Sequence, residues 1–299
     1  MSASARPEPP RTAVVVVSHQ TRVHALTCLD TLASAGVDEV VVVDTGSTDG
    51  TGDAVRATHP EVRVLVVDNV GFGAGANLGV AATRAPVVVV CNADVRFAPG
   101  SVAELAVRLD AASDVAAAGP AVRFPDGRLQ ASARRLPDLA TAVGHAVFAR
   151  LWPTNPWTAR YRATDADPGS PRDVDWLSGC CLAVRRDAFE AVGGFDPGYF
   201  LYVEDVDLGV RLRASGWRLR YEPSARVVHE VGASTGTRRR AWSLTTHARS
   251  LDRFYGLHLA TTPGRRLARP LVRLGLAAWV GVTLVLERVT GRGRSTTGE

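Results

Sequence analysis

Four valine-rich runs, AVVVV at 13–17, EVVVVD at 39–44, VRVLVV at 62–67 and VVVVC at 87–91, leave this chain few ways to fold. They are nearly unbroken rather than alternating, which marks strands buried on both faces, as in a parallel sheet. Segments with helical spacing, 23–33, 51–58 and 73–83, separate them, and another, 101–109, follows the last run. Strand–helix–strand repetition of this kind builds right-handed βαβ units and a Rossmann-like half. Ligands in such sheets sit at the carboxyl ends of the strands. Those ends read Ser18-His19-Gln20, Asp44-Thr45-Gly46-Ser47, Asp68-Asn69 and Asn92-Ala93-Asp94, so each is polar and several carry a carboxylate.

At 299 residues, with 46% apolar and 22% charged residues, the composition is that of a globular enzyme with one large domain or one domain and an appendage. The four cysteines include the adjacent pair Cys180-Cys181 and show no CxxC spacing, which points to a reducing compartment and away from a zinc site. The opening MSASARPEPPRT lacks the apolar stretch of a signal peptide, so residues 1–11 are expected to be a disordered leader of a cytoplasmic protein.

The net charge of +5 is unevenly spread. Residues 238–299 hold twelve Arg against three acids, a net of +9, and the rest of the chain is −4. A basic tail on a neutral-to-acidic body is expected to meet an anionic surface. Nucleic acid is not the expected partner, because the tail has no groove-reading motif and contains the uncharged run LGLAAWVGVTLVL at 274–286. Thirteen residues fall short of the roughly 20 that cross a bilayer. Flanked by Arg265, Arg266, Arg269, Arg273 and Arg288, the run fits a helix lying on an anionic membrane leaflet. The competing reading is a core or dimer helix. Upstream, DADPGSPRD at 165–173 reads as a flexible loop and a candidate substrate lid.

Three patterns bear on chemistry. Glu204, Asp205 and Asp207 put three carboxylates in four residues directly after the aromatic Tyr199, Phe200 and Tyr202. Such crowding serves a cation or a proton transfer, or else an acidic helix start. GFGAGA at 71–76 has the wrong spacing and follows the wrong strand for a dinucleotide fingerprint. Its glycines are expected to let a helix start approach a nucleotide, with Asn77 facing the ligand, although Gly75 and Gly79 also suit tight packing on the sheet. Asn92-Ala93-Asp94 places a carboxylate at a buried strand end, where it can hold a hard divalent cation against a diphosphate.

Together VVVVSHQ, VVVDTGSTDGT, NVGFGAGANLGV, VVVCNADV and the stretch 177–235 resemble inverting nucleotide-sugar glycosyltransferases of the GT-A fold. The resemblance is to the bacterial family 2 group that includes rhamnosyltransferases of cell-wall and polysaccharide assembly. It covers about 220 residues and implies a GT-A domain over 12–237: an α/β fold with a mixed, mostly parallel sheet flanked by helices. A basic helical extension over 238–299 would follow. It further implies a nucleotide-diphosphate sugar donor, a glycan or polyprenyl-linked saccharide acceptor, and a divalent metal, Mn²⁺ or Mg²⁺.

Carried over residue by residue, the resemblance assigns Asp44 to the nucleotide base and Ser18, Asn77 and Asn92 to the sugar-nucleotide pocket. Asp94 and His229 fall to the metal and its diphosphate, and Asp205 to the catalytic base. Trp176, Glu204 and Asp207 fall to positioning the acceptor or its loop. Two departures stand out: His19-Gln20 replaces the family's Tyr-Asn pair, and D-T-G-S replaces D-N-A-S, which is expected to loosen the loop after Asp44. The implied mechanism is one displacement, with Asp205 taking the acceptor proton and no enzyme nucleophile. The rival classes are a non-catalytic sugar-binding module keeping the fold, against which the retained Asp94, Asp205 and His229 count, and a nucleic-acid binder using the Arg tail.

Overall fold

The computed structural model describes residues 10–136, 152, 154–162, 167–230 and 237–289. Each valine run is a strand: β1 (Thr12–Ser18), β2 (Glu39–Thr45), β3 (Arg63–Val67) and β4 (Val87–Asn92). Between them lie α1 (Arg22–Leu32), α2 (Thr51–Thr58) and α3 (Phe72–Ala81), and the short β5 (Val95–Phe97) leads into α4 (Ser101–Asp110). The four strands pair in parallel in the order β3-β2-β1-β4.

Successive side chains serve opposite faces. Val14, Val16 and Val42 pack with α1 and α4, whereas Val15, Val17, Val41 and Val43 pack with α3. β3 departs from the expected two-sided burial because it is the outer strand of this half, and its Val66 is exposed. Residues 1–9 of the expected leader lie outside the described residues; Arg11 is tied to the body, its backbone N–H donating to Asp38 at 2.9 Å and its guanidinium pairing with Asp110 at 2.8 Å.

Past β4 the sheet becomes mixed. β10 (Cys181–Arg185) runs antiparallel between β4 and β6 (Val115–Arg123), and β11 (Arg218–His229) returns parallel to β6. β5 and β8 (Arg172–Val174) both pair with β11, and β7 (Ala133–Arg134) forms a separate ribbon with β9 (Trp176–Leu177). Most paired residues remain in parallel ladders, so the sheet is mixed and mostly parallel, flanked by helices. Two antiparallel steps separate β4 from β6, so β11 points the same way as β1, β2 and β4. Ser18, Thr45, Asn92 and His229 therefore share one edge of the sheet.

The remaining helices are α5 (Pro156–Arg162), α6 (Arg186–Ala191), α7 (Glu204–Ala214), α8 (Thr237–Phe254), α9 (Pro263–Leu267) and α10 (Arg269–Val289). A π-helical turn, Tyr255–Leu259, follows α8. α8 and α10 lie antiparallel: Arg240 pairs with Glu287 at 3.0 Å, the His247 and Trp279 rings meet at 5.9 Å, and Asp252 holds both Arg269 at 2.9 Å and Arg273 at 3.0 Å. The apolar run judged too short to cross a bilayer is part of this longer helix, and the stretch Arg269–Arg288 is long and apolar enough by length and composition. Its polar side meets α8, while Leu271, Leu274, Val282 and Val285 face outward.

The candidate lid is corrected in its described part. Residues 165 and 166 lie outside the described residues; Asp167 folds a tight turn over Gly169 and Ser170, and Arg172 and Asp173 open β8. Tyr221 Oη donates to Pro168 O at 3.0 Å, which fastens the segment to the first half of β11, away from His229.

Candidate active site

α7 opens with its three carboxylates in the first turn, where the helix dipole favours negative charge. Each helical step rotates the side chain by about 100°, so the three separate in direction. Ahead of them the chain passes through two left-handed residues, Tyr202 at φ 69° and Val203 at φ 71°. A β-branched residue there is strained and persists only where its surroundings hold it. α8 supplies that hold: Ser250 Oγ donates to Leu201 O at 2.8 Å, and Tyr202 Oη and Ser243 Oγ lie 2.7 Å apart.

Asp205 is half-buried, and both of its oxygens are anchored. Gly179 N–H donates to Oδ2 at 2.9 Å and Val206 N–H to Oδ1 at 2.8 Å. Each oxygen keeps lone-pair capacity. Burial pushes its pKa up, outweighing the two N–H donors and the Arg134 charge that pull it down. The carboxylate is therefore a stronger base than a free aspartate, held in one orientation. Its neighbour Glu204 is 5% exposed, and its Oε2 has no hydrogen-bond partner. Burial first, and the Asp205 charge second, push the Glu204 pKa up to about 8, so near neutral pH it is mostly a carboxylic acid.

The second cluster comes from sheet pairing. β5 sets Val95 opposite His229, and Glu230 N–H donates to Asp94 O at 3.0 Å, bringing Asp94 Oδ1 to 3.1 Å from His229 Nε2. That is hydrogen-bond distance, yet no donor is aligned on Oδ1, which is enclosed and orphaned. Asn92 Nδ2 lies 3.3 Å from Nε2, and Gln130 Oε1 lies 3.0 Å from Nδ1. Burial lowers the His229 pKa, but Asp94 and the Cys180 side chain more than reverse this and bring it up to about 10.

An orphaned carboxylate oxygen beside an imidazole nitrogen is the donor set a hard divalent cation uses when phosphate and water oxygens complete its shell. Among the described residues no third His, Cys, Asp or Glu joins them. The residues fit a cation shared with a diphosphate, and loading it would displace the His229 proton. Gly179 and Cys180 link the two clusters: one holds Asp205, and the other accepts Asn92 N–H at 3.0 Å and touches His229.

Four of the residues expected at the ligand also have partners within the chain. Asp44 is buried, and its oxygens accept Ser47 N–H at 3.1 Å and Gly52 N–H at 3.0 Å, which ties it to the start of α2. Ser18 Oγ is spent on Thr21 Oγ1 at 2.7 Å. Asn77 clamps Phe195, accepting its N–H at 2.9 Å and donating to its carbonyl at 2.8 Å. Asp207 is enclosed and pairs with Arg211 at 2.6 Å and His258 at 2.6 Å. Trp176 is buried under the Arg134 guanidinium at 5.0 Å, with its Cβ side against Gly209.

The glycines of 71–76 serve packing. A side chain on Gly71, at φ 85°, would overlap the Phe200 carbonyl, and one on Gly75 would press on Thr45 and Val17. The loop after Asp44 is not loosened by its departure from the family pattern. His19 Nδ1 lies 2.6 Å from Thr45 O, Gln20 N–H donates to Ser47 Oγ at 2.8 Å, and Gln20 Nε2 to Thr48 Oγ1 at 3.0 Å. The replacements stitch two strand-end loops together.

Residues 13–193 match the family described as Glycosyl transferase family 2, and 154–290 match Glycosyl transferase family group 2. This chain belongs to glycosyl transferase family 2. It is an enzyme, a glycosyltransferase. The chain is 46% identical over 234 residues to N-acetylglucosaminyl-diphospho-decaprenol L-rhamnosyltransferase of Mycobacterium tuberculosis, a match covering 73% of this chain and 75% of that one. A 56-residue segment is 48% identical to rhamnosyltransferase WbbL of Escherichia coli K12, covering 19% of this chain and 21% of that one. The fold is shared with a mannosyltransferase from Pyrobaculum calidifontis solved with GDP-Man and Mn²⁺, at TM-score 0.55 and 19% identity over 97% of this chain and 77% of that one.

In this glycosyltransferase the residues missed by sequence reasoning are those with no local motif. Gln130 reaches His229 across the sheet edge, Arg134 lies near Asp205, and Gly179 and Cys180 act through backbone and side chain at the junction. Only the pairing of β4, β5, β10 and β11 brings them together.

Proposed function

We propose that this glycosyltransferase moves a rhamnosyl or similar hexosyl group from a nucleotide-diphosphate sugar to a hydroxyl of a polyprenyl-linked saccharide, with inversion at the anomeric carbon. The observation that carries the reading is the anchoring of Asp205 by Gly179, one residue from the Cys180 contact to the Asp94–His229 pair. A base and a diphosphate-binding pair thus stand on either side of one short segment. The 46% identity to the mycobacterial enzyme supports rhamnose and a lipid-linked acceptor.

The chemistry follows from the anchoring. Asp205 accepts the acceptor hydroxyl proton as that oxygen forms its bond to the anomeric carbon, and the bond from that carbon to the diphosphate oxygen breaks. Its fixed orientation supplies alignment. Glu204, holding its own proton, donates a hydrogen bond to the acceptor instead of competing for the proton. A divalent cation on Asp94 and His229 would supply Lewis-acid charge to the departing diphosphate. Single-displacement geometry requires no enzyme nucleophile, and Asp207 in the same helical turn is paired with Arg211.

The tail supports work at a membrane surface on the cytoplasmic side. α10 turns Leu271, Leu274, Val282 and Val285 outward with Arg at both ends, while its polar side is committed to α8 along its length. That commitment favours a helix lying on an anionic leaflet over one crossing it.

The test is a thermal-shift panel of UDP-, dTDP- and GDP-sugars with and without Mn²⁺, followed by transfer assays with a polyprenyl diphosphate-linked GlcNAc. A donor that stabilises only with metal and is consumed with that acceptor supports the reading. Donor-independent melting together with no transfer would discard it.

A further inference from the structure

Beside the catalytic loop lies a cleft of about 400 Å³ between α8 and the segment leading to Glu204, lined by Gly198, Phe200, Trp242, Thr246, Arg249 and Ser250. The catalytic steps above use none of these side chains. Phe200 and Trp242 meet edge to face at 5.9 Å, yet both rings are substantially exposed, 38% and 50%. Aromatic rings this open are costly to leave in water without an occupant.

Arg249 stands apart from the other arginines of this pair of helices. Arg240 is held by Glu287, Arg253 by Asp196, and Arg269 and Arg273 by Asp252. Among the described residues Arg249 is exposed and makes no ion pair. The cleft thus combines an apolar aromatic wall with one uncompensated guanidinium, on the side of α8 that faces the loop carrying Asp205. α10, with its outward apolar face, is strapped to α8.

We infer that this cleft holds the lipid-proximal end of the acceptor, with an acceptor phosphate on Arg249 and the first isoprene units against Phe200 and Trp242. The inference rests on the lipid-linked reading above and adds to it a subsite. A guanidinium recognises phosphate through paired N–H donors, and a prenyl chain beginning at that phosphate has apolar surface to bury on the adjacent rings. Phe200 lies five residues before Asp205, on the segment that leads into the helix carrying the proposed base. An anionic headgroup would offer Arg249 the same phosphate chemistry, and the assay must tell the two apart.

The experiment uses the full-length protein in non-ionic detergent, which contains no headgroup phosphate. Steady-state kinetics are compared for wild type, Arg249→Ala, Arg249→Lys and Trp242→Ala, with GlcNAc-diphosphate acceptors carrying a long polyprenyl or a short citronellyl chain. Arg249→Ala should raise KM for both acceptors about tenfold with donor KM unchanged, and Arg249→Lys should recover most of it. Trp242→Ala should raise KM for the long-chain acceptor more than for the short one. Acceptor KM within twofold of wild type in both alanine variants would overturn the inference while leaving the lipid-linked reading intact. So would an Arg249→Ala defect seen only on anionic liposomes, which assigns the residue to a headgroup. A wild-type enzyme that uses neither lipid acceptor but glycosylates a lipid-free one would remove both.

Discussion

His258 Nε2 sits 2.6 Å from Asp207 Oδ1, joining the π-helical turn after α8 to the helix that carries Asp205, the proposed base. Asp207 is fully enclosed and also holds Arg211 Nε at 2.7 Å, with the Tyr199 hydroxyl 3.5 Å away. Removing its charge leaves the Arg211 guanidinium without its counter-ion and weakens the contact to His258. Asp207→Asn should therefore cost about 3–5 kcal/mol of stability, and His258→Ala, which leaves Arg211 in place, about 1–2 kcal/mol. Guanidinium unfolding would decide, and an unchanged midpoint in Asp207→Asn would refute the account.

Asp205→Asn keeps the shape of the side chain and can still accept one of the two N–H donors, but it cannot take a proton. Turnover should fall by about 10²–10⁴ with donor affinity nearly intact. Retention of more than about a tenth of wild-type turnover would exclude Asp205 as the base.

Asp94→Ala and His229→Ala should weaken donor binding and its Mn²⁺ dependence together. Gln130→Leu removes only the acceptor on His229 Nδ1, so it should lower metal affinity by about 10–100-fold while donor binding at saturating metal persists. Calorimetry with and without Mn²⁺ separates these outcomes. Equal donor affinity in all three variants would end the case for a metal there.

Glu204 gives the fold a pH dependence of known sign. Below its ordinary value of 4.5 both folded and unfolded chains hold the proton. Between that value and about 8 the folded state keeps a proton that the unfolded chain has released, because burial and the Asp205 charge disfavour ionisation. Stability should therefore fall as pH rises through this window, by at most about 1.4 kcal/mol per pH unit from this group, and level off above it. Glu204→Gln should flatten that slope. Parallel stability curves for variant and wild type between pH 5 and 8 would contradict it.

Truncation after Pro263 removes α10 but keeps α8 and His258, and so keeps the brace on the catalytic loop. The shortened protein should melt cooperatively and no longer sediment with anionic liposomes, since it loses the outward leucine and valine face and several arginines. Aggregation of the truncated protein, or a full-length protein that stays in the supernatant at low salt, would favour a core helix.

The parallel half and the chemistry-bearing ends of β1, β2 and β4 were legible because valine runs and polar strand ends are local signals. Asp94, Asp205 and His229 were singled out through the family resemblance, and they lie around one segment, Gly179-Cys180. The partners that Asp44, Ser18 and Asn77 have within the chain were not legible. A short polar side chain at a strand end looks the same in sequence whether it meets a ligand or a backbone N–H, and here Ser47, Gly52, Thr21 and Phe195 claimed them. Asp207 misled for a related reason, since its partner His258 lies 51 residues away in a tail that composition set apart as an appendage. Gln130 could not be read at all, because only the approach of β11 gives it a function.

The strained turn at Tyr202 and Val203 is held by residues 243–250, and α7 by residue 258, all of which follow the sheet in sequence. Synthesis runs from the N-terminus, so the sheet and Asp205 leave the ribosome before anything exists to brace them. The nascent chain should thus form its sheet before the proposed base is held in place, and transfer is expected only after α8 has emerged and docked. The order of the genetic message acts as a safety catch on the enzyme.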